Sequence, residues 1–334
     1  MKLIRSLLLL ACLALVVAGA WLYFYSTTPL AARATTEDVS LKAGSSLRSV
    51  GLQLVQQGVL PEPWSFEVLV RLFGKAGDIK AGNYQIAAGT TPYQLLITLT
   101  NGNTTQASIT FIEGWTFQQM RAALNAHESV RHMTMAYTDQ QILAEVGATE
   151  EIAEGLFFPD TYYFTPQSSD KDILKRAYTT MQQKLSTAWA GRDAGLPYAT
   201  PYQALIMASI IEKETGRAVE RPQIAGVFLN RLRLGMRLQT DPTVIYGVGE
   251  RFDGNLRKKD LLLDTPYNTY TRAGLPPTPI AMPGLGAIEA ALHPMKTKAL
   301  YFVGKGDGSH EFSSTLAEHN RAVVQYQLRP NRAR

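Results

Sequence analysis

The sequence predicts an α+β protein in three parts: an amino-terminal transmembrane helix, a small α/β subdomain, and a larger mixed α+β domain. Three observations carry this reading. From Ser6 to Tyr25 about 20 residues carry no charge, the length that crosses a hydrocarbon core of roughly 30 Å. Between Val39 and Leu124 a short strand, a glycine turn and an amphipathic helix recur. Farther on, two helices between Thr200 and Arg237 precede a proline-rich loop and a hairpin. A chain of 334 residues, 46% of them hydrophobic, can supply two ordinary cores.

Lys2 and Arg5 precede the uncharged run, which keeps residues 1–5 in the cytoplasm and places the bulk of the chain across the membrane. A cleaved signal peptide is the competing reading, with Ala18-Gly19-Ala20 as its cleavage site, but the apolar run continues through Trp21, Leu22 and Tyr23. Leu9-Leu10-Ala11-Cys12 resembles a lipoprotein processing site, yet the apolar stretch before it is too short. The net charge of +5 includes no run of like charges, which argues against a nucleic-acid partner. Cys12 is the single cysteine, so an internal disulfide is excluded.

Residues 26–37 read as a linker and 38–102 as the small subdomain, leaving 103–330 for the larger domain. Each repeated unit looks unable to bury a core alone, so the three are expected to pack together. Asp139 to Val146 reads as a helix capped by Thr138, and Glu154 to Phe164 as an ordered surface segment whose dense aromatics pack as core in preference to stacking on sugar faces. Lys171 to Trp189 is an amphipathic helix. Pro266 to Gly284 reads as a loop stiffened by five prolines and held open along a groove, with Asn268, Thr269 and Tyr270 offering polar and ring contacts to a carbohydrate. Leu300 to Phe312 forms a hairpin, and Thr315 with Glu318 caps a last helix.

The chemistry concentrates in Thr200 to Arg237. Thr200 caps a helix with Pro201 in its first turn and Gln203 placed for a capping box. From Ala204 to Ile211 that helix is apolar nearly all round, as a central buried helix is. Glu212, Lys213 and Glu214 fall in its last turn, and Gly216 offers a left-handed stop. Glu212 shares a sector with Leu205 and Ala208, so its carboxylate should be poorly solvated. Desolvation and the negative end of the helix dipole both favour the protonated form, making Glu212 a candidate proton donor. Spacing alone leaves open a solvated helix end, and Glu214 shares the ambiguity. Glu220 is expected to cap the second helix or to pair with an arginine.

Several phrases together resemble the endolytic murein transglycosylases of the MltG, or YceG-like, type: Glu154-Gly-Leu-Phe-Phe-Pro-Asp-Thr-Tyr162, Ala208-Ser-Ile-Ile-Glu-Lys-Glu-Thr215, Met236-Arg-Leu-Gln-Thr-Asp-Pro-Thr-Val-Ile-Tyr246, Tyr267-Asn-Thr-Tyr270, Gly274-Leu-Pro-Pro277 and Leu300-Tyr-Phe-Val303. The resemblance implies a single-pass protein of the bacterial inner membrane whose periplasmic part is a lyase, cutting peptidoglycan glycan strands internally at the MurNAc-β-1,4-GlcNAc bond. It implies Glu212 as the catalytic acid, no metal or cofactor, a LysM-like glycan-binding subdomain at 38–102, and action beside peptidoglycan synthases of the penicillin-binding type. Candidate substrate contacts are Ser209, Glu220, Gln239, Thr240, Asp241, Tyr246, Asn268 and Tyr270.

Three rivals stand beside this reading. One is a glycan-binding scaffold without turnover. Another is a zinc hydrolase built on His293, His310 and His319, whose spacing matches no helical histidine pair. The third is a muramidase-type hydrolase, which would pair Glu212 with a second carboxylate such as Asp241. Asp241 is otherwise a helix cap or a substrate contact, and His127 and His132 read as helix-surface residues.

Overall fold

The structure is a computed structural model that describes residues 2–30, 37–42, 44–102 and 107–328, with the side chains at 2–5, 7, 8, 11, 37, 38 and 85 also outside the description. Of the expected linker at 26–37, residues 31–36 lie outside the described residues, and Ser26 and Thr27 belong to the first helix. The fold is mixed α+β, and the chain divides into two compact units, residues 1–107 with 163–167 and residues 108–162 with 168–334.

The first unit contains α1 (Lys2–Thr27), β1 (Glu37–Leu41), α2 (Leu47–Gln56), α3 (Trp64–Leu72), β2 (Gly82–Ile86) and α4 (Pro92–Asn101). Strands β1 and β2 pair antiparallel, Val39 opposite Tyr84. Ser46 caps α2, and Thr91 with Gln94 forms a capping box ahead of Pro92 at the start of α4. Val39, Leu54, Phe66, Leu69, Tyr84, Leu95 and Leu99 close a dry core, and Leu22 and Tyr25 of α1 pack against it. Trp21 stacks on Trp64 with ring centroids 5.2 Å apart. Leu9, Leu10, Leu13, Leu15, Val16 and Val17 are each at least 60% exposed. Among the described residues no helix is long and apolar enough to cross a membrane, the undescribed side chains at 7, 8 and 11 falling within this stretch.

The second unit starts within β3 (Ala107–Thr110) and continues through α5 (Phe117–Asn125), β4 (Val130–Arg131), α6 (Asp139–Val146), the first half of β5 (Thr161–Phe164), β6 (Ser168–Ser169) and α7 (Asp170–Ala190). It goes on through α8 (Pro201–Glu214), α9 (Arg221–Arg233), α10 (Asp241–Val248), α11 (Lys258–Leu262), α12 (Leu285–Leu292), β7 (Tyr301–Gly304), β8 (His310–Ser313) and α13 (Leu316–Val323). The third repeated strand–glycine–helix unit, β3 to α5, therefore belongs here and not with the first two. Every residue from Ala204 to Ile211 is buried, because α7, α9, α10 and α12 all pack against α8. A helix surrounded in this way needs no polar face.

Local details depart from the sequence reading. Thr200 accepts from the Gln203 backbone N–H, but the Gln203 side chain bonds the Ala199 N–H instead of closing the box. Helix α8 ends on Thr215 in an extended conformation, and Gly216 does not take the left-handed one. The segment after Glu154 is interior and not on the surface, with its aromatics packed as core as expected: Leu156, Phe157 and Phe158 are buried, Phe157 stacked on Phe117. His127 follows α5 in a turn, its Nε2 3.0 Å from the Ser108 carbonyl. The loop 266–284 is fastened at its start to the end of α11, since Asn268 is fully buried, donates to the Leu261 and Leu263 carbonyls and accepts from the Tyr270 N–H.

Candidate active site

Glu212 stands in the last turn of α8 with its side chain only 5% exposed. Its Oε1 accepts from Arg221 Nη2 at 2.7 Å and its Oε2 from the Gly284 N–H at 2.9 Å. Arg221 opens α9 and Gly284 precedes α12, so the tight α8–α9 connection and the positive end of α12 bring both donors to one carboxylate. Burial raises the Glu212 pKa above the ordinary carboxylate value; the Gly284 N–H and the Arg221 charge oppose the rise, and the Glu113 charge adds to it.

Glu113 belongs to the turn after β3, where Gly114 takes a positive φ of 79°. That turn is pinned on both sides: the Gly114 N–H donates to the Met282 carbonyl, the Met282 N–H donates to the Trp115 carbonyl, and Lys213 Nζ donates to the Gly114 carbonyl at 3.1 Å. Arg221 Nη2 lies 3.6 Å from Glu113 Oε2. The packing is close, since a Cβ at Gly284 would fall 1.8 Å from Glu113 Oε1 and one at Gly286 would fall 2.7 Å from Arg221 Nη1, so an alanine at either place would displace the end of that side chain.

Glu214 faces another group. It accepts from the Thr240 hydroxyl, and Tyr270 donates to Asp241 Oδ1 at 2.6 Å beside it. Burial pushes the Glu214 carboxyl up to about 7, against the Thr240 hydrogen bond and with help from the Asp241 charge. A cavity of about 480 Å³ opens here, lined by Glu214, Gln239, Asp241, Tyr270, Tyr301 and His319 among others. Gln239 holds a left-handed φ of 52°, its side chain accepting from Arg231. Glu154 forms a third site: its carboxylate accepts from the Phe117 N–H and the Tyr246 hydroxyl, and burial raises it to about 7.

The predicted contacts therefore separate. Gln239, Thr240, Asp241 and Tyr270 gather around Glu214, and Tyr246 serves Glu154. The Ser209 hydroxyl bridges inside the core, donating to the Ile206 carbonyl and accepting from the Ile280 N–H. Glu220 makes no side-chain cap and pairs with His310 at 2.7 Å; burial works against its ionisation, but the His310 hydrogen bonds outweigh it and lower the pKa. His293 lies 2.9 Å from Asp193 and His319 stacks on Tyr301. Among the described residues no group of three or more His, Cys, Asp or Glu is placed to hold a metal ion. Sequence reasoning missed Glu113 and Arg221 as partners of Glu212, and Glu154 as a buried acid of its own; the Glu-Gly pair after a predicted strand was the one available signal for the first.

A curated relative from Bacillus subtilis (strain 168), an endolytic murein transglycosylase, is 34% identical over 93% of this chain and 91% of its own length. Relatives of the same name from two Streptococcus pneumoniae strains are 26% identical over 86% of this chain, which spans 58% of theirs. The crystal structure of a yceG-like protein from Listeria monocytogenes aligns with a TM-score of 0.55 at 31% identity, covering 86% of this chain and 99% of that one. With the YceG-like family model matching residues 39–325 as well, the chain belongs to the YceG-like family.

Proposed function

We propose that this chain is an endolytic peptidoglycan lytic transglycosylase, a lyase that cuts MurNAc-β-1,4-GlcNAc bonds within glycan strands with Glu212 as acid and then base. The observation that carries the reading is Glu212 itself, a nearly buried carboxyl clasped by Arg221 and Gly284 in a chain 34% identical to a named murein transglycosylase. Protonated Glu212 gives its proton to the leaving O4 of GlcNAc as the bond to C1 of MurNAc breaks. The resulting carboxylate takes the proton of the MurNAc C6 hydroxyl while O6 closes on C1, leaving a 1,6-anhydro end and the acid restored. No water is consumed.

A hydrolytic reading keeps one observation in its favour, a second carboxylate beside Glu212. That carboxylate is Glu113 and not Asp241, which is bonded to Tyr270 beside Glu214. Digestion of purified glycan strands in ¹⁸O-water separates the two. The lyase leaves unlabelled 1,6-anhydroMurNAc ends, lighter by one water, whereas ¹⁸O at a new reducing end would make the enzyme a hydrolase.

The same proposal takes α1 as the inner-membrane anchor, supported by the exposed leucines and valines along it, with the bulk of the chain in the periplasm near peptidoglycan synthases. It takes residues 38–102 as a LysM-like glycan-binding subdomain, supported by the β1–α2–α3–β2 order and antiparallel pairing, and 103–330 as the catalytic domain.

A further inference from the structure

Arg221 stands between two carboxylates and reaches both with the same nitrogen, Nη2, at 2.7 Å to Glu212 and 3.6 Å to Glu113. The Arg221 side chain is 12% exposed while that of Glu113 is 47% exposed, so the cation is fixed in the interior and the second anion is free to adjust. An acid that must hold a proton is poorly served by a guanidinium at hydrogen-bond distance, because arginine keeps its charge and favours the carboxylate. When Glu212 is protonated, Arg221 needs another anion, and Glu113 is the one beside it. The charged groups acting on Glu212 are Arg221, Glu113 and Lys213; Lys213 is turned to the Gly114 carbonyl, and Glu220, next to Arg221, is occupied by His310.

We infer that Glu113 is a positioning residue for the reaction: it takes Arg221 while Glu212 carries the proton and releases it once that proton has passed to the leaving oxygen. The inference rests on Glu212 being the acid. Glu113 neither gains nor loses a proton in the cycle, and Arg221 stays cationic throughout. As positive charge develops at the sugar C1, the trio becomes more negative by one unit, which is the direction that stabilises such a centre.

The test is the pH profile of kcat/KM on purified glycan strands, using the full-length chain. Glu113→Gln removes the competing anion and leaves Arg221 on Glu212. The alkaline limb, where Glu212 loses its proton, is then expected to move about one unit toward acid, with about a tenfold loss near neutral pH and little loss well below it. Glu113→Asp, which keeps the charge, should recover most of the shift. Gly284→Ala gives a second route, since its Cβ would displace the mobile Glu113 carboxylate while the backbone at Gly284 (φ −76°, ψ 171°) accepts alanine. An unmoved limb in Glu113→Gln and Gly284→Ala, or an equal loss at every pH, overturns the inference. If Glu212→Gln retains wild-type activity, the acid assignment fails and takes the inference with it. An inactive Glu212→Gln beside an unshifted Glu113→Gln sinks the positioning role alone.

Discussion

Glu212 and Glu214 lie two positions apart on α8 and meet different neighbours, Arg221 and Gly284 for the first, Thr240 and Asp241 for the second. Replacing each by glutamine therefore separates their roles. Glu212→Gln keeps the shape and one of the two acceptor oxygens but removes the transferable proton, and cleavage is expected to fall by roughly 10²–10⁴-fold while the protein still folds. Glu214→Gln imitates a carboxyl already raised to about 7 and should retain measurable turnover; equal activity of the two variants would reject the assignment. The poor solvation of Glu212 was legible, because helical periodicity puts it in a sector with Leu205 and Ala208. Its partners were not. Glu113 and Arg221 come from separate elements, and the contact between the Glu113 turn and α8 spans 99 residues of sequence. Glu220 shows the same limit: a carboxylate at a helix start reads as a cap, but a histidine 90 residues later takes it.

Among the elements, the helices of the second unit announced themselves through their caps, Thr315 with Glu318 forming the expected box and Thr138 the expected cap, to which Gln141 adds the return bond. Their packing was less visible. Periodicity describes which face of α9 is apolar, not what approaches it, and at Gly226 the approach is close: a Cβ there would lie 2.4 Å from the Met295 carbonyl and 2.9 Å from Thr297 Cγ2. Gly226→Ala is expected to destabilise the fold by about 1–3 kcal/mol, seen as a lower urea midpoint at unchanged m. Gly304→Ala, with nothing within 4 Å, should stay within about 0.5 kcal/mol of wild type. The anchoring of the proline-rich loop was hidden for a related reason. Proline content speaks to stiffness, whereas the buried Asn268 and its two carbonyl partners, Leu261 and Leu263, fasten the start of the loop to the end of α11.

For the molecule as a whole, the buried acids set a pH dependence. Glu154 has its pKa raised by burial from 4.5 to about 7, so the native state binds its proton more tightly than the unfolded chain. The stability this adds is complete below the unfolded value and is lost as pH rises through about 7, at most on the order of 3 kcal/mol. Thermal melts from pH 5 to pH 8 should fall more steeply for wild type than for Glu154→Gln, and identical slopes would contradict the burial effect. A reporter fused after Arg334 should be active only in the periplasm; activity in the cytoplasm from intact protein would overturn the proposed anchor. The path of the backbone carries a last consequence. It leaves the first unit after Ala107, returns for Tyr163 to Gln167, where Pro166 accepts from Asn83, and leaves again. Units strung in sequence can be traded between genes by one cut and one join, but units threaded in this way cannot, since excising either one severs the other. A truncation placed after Ala107 would accordingly leave the first unit without Tyr163 to Gln167, and one that began at Ser108 would carry those residues with no unit to join.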